Sequence, residues 1–193
     1  MTTPAAGSTT RVLPGALREA GPLAWVIAVV GGRLAGTEPM NLFLVLGRHR
    51  KLFRSWLGFG ARLMPRGLLP RRESELVILR VAHLRTCAYE WVQHVRIGKR
   101  SGLTDADIDR VTDGPQAQGW SSRERAILAA VDALHADGDL DDATWAVLRE
   151  HLDDRESIEL CMLAGHYEML ATTITALRIQ PEAPRRGAGT LRR

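Results

Sequence analysis

Apolar side chains recur at helical intervals along most of the chain, and no long alternation of apolar and polar positions marks a half-buried strand. The pattern predicts a short helix over 14–20 and a longer one over 23–34, ended by Gly36. Asn41 to Leu46, then Leu52, Phe53, Trp56, Leu57, Phe59, Leu63 and Met64, read as one or two core helices. Their bulky groups face several directions, so other helices or another subunit are expected to cover them. A turn at 65–70 separates this region from two periodic segments that meet at Arg85-Thr86-Cys87 and form an expected antiparallel helix pair. Thr104 can cap a helix running through Val111, and 113–119 reads as a loop. Ser121-Ser-Arg-Glu124 is a capping-box pattern ahead of an amphipathic helix through Ala126, Ile127, Ala130, Val131 and Leu134. After a turn, helices are expected over 143–152 and 155–177. In the last, Ile158, Met162, His166, Leu170 and Ile174 are predicted to share one face, with Pro181 and Pro184 ending it.

These elements predict an all-α protein. Composition agrees: of 193 residues 45% are hydrophobic but only 5% aromatic, with Ala and Leu abundant. The length suits one core, so a single domain is expected over 13–179, flanked by a disordered N-terminus (1–12) and a basic, flexible tail (180–193). The formal charge of +4 is concentrated in Arg185, Arg186, Arg192 and Arg193 of that tail. From Arg48 to Arg72 there are basic residues and no acid, while 137–159 is rich in carboxylates. Without an accompanying nucleic-acid motif, these read as solvated faces, complementary at a subunit contact, rather than as a nucleic-acid site. Cys87 and Cys161 are too few and too far apart for a disulfide scaffold, which points to a reducing cytoplasm. The apolar run at 22–32 is too short to span a bilayer. A signal peptide is the competing reading, but Glu19 interrupts its basic flank, and a packed N-terminal helix is favoured.

The candidate chemistry lies at the meeting point of the central pair. If a helix starts near Thr86, spacings of three and four residues place Cys87, Glu90 and His94 on one stripe. Thr86 is a good N-cap residue, and Cys87 in the first turn would meet unpaired N–H groups that favour a thiolate. An ionised Glu90 opposes this by raising the thiol pKa, and an ionised thiol raises that of Glu90 in turn. Antiparallel packing can bring Glu75 or Arg80 alongside, with Glu73 as the competing glutamate.

Glu75, then Cys87-Ala-Tyr-Glu90-Trp-Val-Gln-His94, then Gly102-Leu-Thr-Asp-Ala-Asp-Ile108, resembles the carboxymuconolactone decarboxylase and alkylhydroperoxidase D (AhpD-like) superfamily. The match is to the branch reading Tyr-Glu-Trp-x-x-His. The resemblance implies an AhpD-like helical domain whose central pair carries the site, and a homo-oligomer, as dimer, trimer or hexamer. In the peroxidase branch the helix carries Cys-x-x-Cys with a relay His and Glu. Glu75, Cys87 and His94 match that spacing, but Glu90 replaces the second cysteine, so no disulfide can form within the motif.

Two enzymatic readings follow. In one, Glu90 and His94 move protons during decarboxylation or isomerisation of a small carboxylate or lactone, with Glu75 in support and no cofactor. In the other, Cys87 attacks a hydroperoxide and an outside thiol reduces it, Cys161 resolving it only if the last helix crosses closely. The missing thiol favours the first. A non-catalytic helical binding or assembly protein is the third. Arg80, Tyr89, Trp91, His166 and Tyr167 are candidate substrate contacts, each with a competing role in packing or ion pairing, and Gly165 is read as permitting close helix approach. No metal site, nucleic-acid partner or membrane association is expected.

Overall fold

The computed structural model describes residues 10–64 and 66–185. Most of residues 1–12, most of the basic tail and the first residue of the 65–70 turn therefore lie outside the described residues. Within these bounds the protein is all-helical, with ten helices and no strand beyond one isolated bridge, Thr37 to Pro184. The helices are α1 (Leu17–Ala20), α2 (Pro22–Ala35), α3 (Asn41–Leu46), α4 (Arg50–Leu63), α5 (Arg71–Leu84), α6 (Ala88–Arg100), α7 (Asp105–Asp113), α8 (Ser122–Asp137), α9 (Asp142–Arg149) and α10 (Asp154–Leu177). No helix among the described residues is long and apolar enough to cross a membrane.

The internal contacts group into two units. The first comprises residues up to Gly58 together with those from Ile174 onward. Its core sets Ala20, Ala24 and Phe53 against Ile27, Phe43 and Trp56, with the rings of Phe43, Phe53 and Trp56 5.8–6.3 Å apart. Helix α2 buries its small residues Ala24, Ala28 and Gly32 and exposes Leu23, Val26, Val30 and Leu34. A Cβ on Gly32 would stand 2.3 Å from the Glu38 carbonyl oxygen, so that close approach requires glycine. The N–H of Arg11 donates to the Leu177 carbonyl, and the N–H groups of Glu38 and Arg185 donate to the carbonyls of Ala183 and Gly36.

The second unit, Phe59–Thr173, is built around α5, on which every residue from Glu73 to Ala82 is buried. Leu76, Val77, Ile78, Leu79 and Val81 are apolar on all sides, as a helix surrounded by others must be. α5 packs against α6, α7 and α8. Leu76 and Leu79 join Leu103, Ile108, Val111, Trp120 and Leu128 in one cluster, where truncation to alanine costs about 2–5 kcal/mol per leucine. The buried charges of α5 are paired. Glu73 receives Arg123, and Arg80 binds Asp132 through two N–H groups at 2.6 and 2.8 Å.

The expected caps at Thr104 and Ser121 are present, each as a full capping box. One expectation fails on α10. Ile158 and Met162 are exposed (64% and 48%), whereas His166 and Leu170 are buried. A row of residues four apart winds about 40° round the helix at each step, so a five-member row cannot keep one face inward over four turns.

Candidate active site

The α5–α6 junction differs from expectation by one residue. Cys87 is the N-cap of α6, and Thr86 adopts a left-handed conformation with φ 52°. The N–H of Thr86 donates to the His83 carbonyl at 3.0 Å and that of Cys87 to Ala82 at 2.8 Å. This pair of bonds closes α5 in the manner usually served by glycine. A β-branched residue there is strained, and the turn it makes places Cys87 at the start of α6.

Cys87 is buried. Burial and then the charge of Glu90 push its thiol up to about 12, against the backbone N–H groups of Glu90 and Tyr89 and the charge of Arg85, which favour the thiolate. The opposition between helix start and carboxylate is thus present, and desolvation decides it for the thiol. Glu90 is only 2% exposed, and no N–H or O–H donor reaches either carboxyl oxygen. Burial, followed by the charge of Glu168, raises its pKa to about 8, with only the Cys87 thiol acting in the other direction. At neutral pH both groups are therefore chiefly protonated.

On the opposing helix Glu75, rather than Glu73, faces inward, fully buried. Its Oε2 lies 2.8 Å from His94 Nδ1, and Arg71 Nη2 stands 3.1 Å from its Oε1. Glu75 thus fixes the imidazole, and Nδ1–H donating to it leaves Nε2 as the end able to exchange a proton. His94 pairs with Glu75 and not with Glu90, its neighbour one turn back on α6. From α10, the Tyr167 ring meets His94 edge-on at 5.2 Å and His166 at 5.3 Å. Burial and the charges of Glu90 and Glu75 raise the Tyr167 phenol strongly, and burial lowers the pKa of His166, whose ring also meets Phe59. The structure therefore groups Glu75, Cys87, Glu90, His94, His166 and Tyr167 in one buried corner of the second unit.

Three expected contacts lie elsewhere or serve the fold. Arg80 spends four N–H donations on Asp132 and the carbonyls of Val111 and Thr112, so the fold takes the guanidinium expected to hold a substrate carboxylate. Trp91 packs against the leucine cluster and the His83 ring. Tyr89 is buried beside Cys87, with its backbone N–H favouring the thiolate. Gly165 does not mediate close helix approach, since no atom lies within 4 Å of where its Cβ would stand.

Sequence reasoning missed Arg71, although its spacing of four from Glu75 was a usable signal. It also missed Glu168, which Arg85 Nε meets at 3.0 Å and His135 Nδ1 at 2.6 Å. Those partners come from three helices, and no local pattern joins them. Among the described residues, no three His, Cys, Asp or Glu side chains come together as ligands for a metal ion.

Residues 50–133 match the sequence model of the carboxymuconolactone decarboxylase family. No curated protein sequence matches the chain. Among solved structures, an uncharacterised peroxidase-related protein from Ralstonia eutropha JMP134, described as an alkylhydroperoxidase AhpD core, is similar over 92% of this chain and 94% of its own, with TM-score 0.78 and 19% identity. A peroxidase-related protein from Silicibacter sp. TM1040 is similar over 94% and 98%, with TM-score 0.77 and 18% identity. The debrominase Bmp8 is similar over 91% and 94%, with TM-score 0.76 and 18% identity. At these identities the likeness is one of fold.

Proposed function

From a carboxymuconolactone decarboxylase family segment at residues 50–133 set in an AhpD-like helical fold, we propose that the protein is an enzyme of proton-transfer chemistry, decarboxylating or isomerising a small carboxylate or lactone. One observation carries this reading: Glu90 is buried with no N–H or O–H donor on either carboxyl oxygen, a setting that raises its pKa to about 8, one helical turn from a His94 oriented by Glu75. A carboxyl group tuned to near the working pH is the type of group that general acid catalysis uses.

In the decarboxylation, the C–C bond to the substrate carboxylate breaks, CO2 leaves, and the electron pair spreads into the adjacent carbonyl. Glu90 then delivers its proton to the carbon. In the isomerisation, His94 Nε2 removes a proton beside the carbonyl and Glu90 returns one on the neighbouring position. Glu75 holds the imidazole for this step, and Arg71 holds Glu75.

The thiol-peroxidase reading is supported by the fold shared with peroxidase-related proteins. It is opposed by a buried Cys87 whose thiol is pushed up to about 12, since the thiolate is the attacking species. The two readings separate in one experiment. Carboxymuconolactone and related lactone acids are offered to the wild type, Cys87→Ser, Glu90→Gln and His94→Ala, beside a hydroperoxide with a thiol reductant. The proposal expects lactone turnover to fall by about 10²–10⁴ in Glu90→Gln and His94→Ala and to survive in Cys87→Ser. It also expects the wild-type rate to decline as pH rises through about 8, where the acid form of Glu90 is lost. Lactone turnover retained in both acid/base variants would defeat it, and hydroperoxide consumption that vanishes in Cys87→Ser would replace it with the thiol reading.

A further inference from the structure

A cavity of about 320 Å³ opens between α5, α8 and α10, with Val81, Val131, Leu134, His135, Cys161 and Glu168 in its lining. Glu75, Cys87, Glu90 and His94 take no part in that lining. The volume falls at the small end of the range typical for small-molecule sites, roughly 300–1,000 Å³.

Two glycines stand at its edge. Gly138 closes α8 with φ 72°, a conformation that explains the residue. Gly165 has no such explanation. It lies inside the 24-residue α10, where glycine costs about 1 kcal/mol relative to alanine, and no atom lies within 4 Å of a Cβ placed there. Neither the backbone nor close packing requires glycine at this position. Gly165 is exposed at the mouth of the cavity, and its lack of a side chain leaves that mouth clear.

The polar groups of the lining restrict what can enter. Glu168 accepts from Arg85 Nε at 3.0 Å through one oxygen and contacts His135 Nδ1 at 2.6 Å through the other. A carboxylate accepts, so Nδ1 carries a proton, and in the neutral imidazole Nε2 offers a lone pair. An anionic ligand would face Glu168 across an apolar space. A cationic one would find both carboxylate oxygens engaged.

We infer that this cavity, its mouth left clear by Gly165, is a binding site for a compact, neutral, mostly apolar molecule whose one O–H or N–H donates to His135 Nε2. The cavity shares only Glu168, through its charge on Glu90, with the acid/base corner, and ligand binding in it does not depend on the reaction proposed there.

Cys161, a half-buried free thiol in the lining, supplies the readout. Its alkylation by iodoacetamide is followed by mass spectrometry of its peptide while phenol, indole or benzoate is titrated into the full-length protein, with buried Cys87 as internal reference. Phenol or indole is expected to slow Cys161 alkylation several-fold and saturably, and benzoate to leave it unchanged. In Gly165→Leu, neither neutral probe should change the rate further. Gly165→Ala, which gains helix propensity, should keep or raise the melting temperature while weakening the effect, so a loss in the leucine variant is separable from misfolding. His135→Phe should weaken protection by phenol about five- to tenfold. The inference is overturned if neither neutral probe slows alkylation, if benzoate protects as well as phenol, if protection is undiminished in both Gly165 variants, or if His135→Phe protects as well as wild type.

Discussion

The paired acids of the second unit and the unpaired Glu90 carry opposite electrostatics. Along α5, α7 and α8 the acids are matched: Asp107 meets Arg72 at 3.0 Å and also Arg110, Glu73 meets Arg123, and Asp132 meets Arg80. Burial alone would raise Asp107, but hydrogen bonds from Arg72 and Thr104 outweigh it and hold the carboxyl well below the usual range. At the start of α6, Glu90 is as little exposed but more deeply enclosed and receives no such donor, so desolvation prevails and the pKa rises to about 8. Shallow burial with a guanidinium supplied thus gives a fixed charge, and deep burial without one a held proton. The matched set positions helices, and the unmatched acid keeps a chemical capacity.

The largest effect that sharpens this contrast is expected from the matched side. Arg80→Met leaves Asp132 and the carbonyls of Val111 and Thr112, the first of them buried, without their partner and should destabilise by about 3 kcal/mol in denaturant unfolding, at the low end of the fully buried case because Asp132 is partly exposed. On the unmatched side the sign reverses. Glu90→Gln removes an acid that folding must keep protonated, and at pH 8 it should stabilise by on the order of 1–3 kcal/mol in the same assay. A destabilised Glu90→Gln would mean that the carboxyl has a partner worth keeping.

Acid and base titrations of stability separate the paired acids from Glu90 further. Glu90 has a folded pKa above its unfolded value near 4.5, so the folded state binds the extra proton between that pH and about 8. Its contribution is full below the window and fades as pH rises through it, and this decline should be missing in Glu90→Gln. Asp107 has a depressed folded pKa, so its contribution is present above the unfolded value near 3.8 and is lost as pH falls toward the folded one. Asp107→Asn should weaken the acid limb, to which Glu124 and Glu156 also contribute, and leave the decline toward pH 8 intact. The smallest effect concerns the backbone that sets this corner. Thr86→Gly should relieve the left-handed strain and raise stability by about 1 kcal/mol, with a gain absent if the threonine side chain compensates elsewhere.

The fold was legible because most of its information is local. Helix periods, the boxes at Thr104 and Ser121, and the stop at Gly36 act within a few residues, and each is realised in the structure. The stripe of Cys87, Glu90 and His94 was legible for the same reason, and Glu75 because antiparallel pairing brings it opposite. Four things were not legible. The left-handed turn at Thr86 depends on how α5 must close against α6, and threonine's capping preference points the other way. Arg80 looked free in the sequence because Asp132 is 52 positions away and becomes its partner only through packing. The α10 faces differ from expectation because a row at intervals of four that begins exposed at Ile158 reaches the buried side only after two steps, at His166. For Glu90, burial and lack of a donor are tertiary facts that no spacing records.

The account turns on the proton held by Glu90. Carbon-13 NMR of the glutamate carboxyls, with the Glu90 signal identified by its absence in Glu90→Gln, follows that proton directly through a pH titration of the folded protein. The account predicts a midpoint near 8. A midpoint near 4.5, the ordinary value for glutamate, would show a carboxylate already ionised at neutral pH and would contradict it.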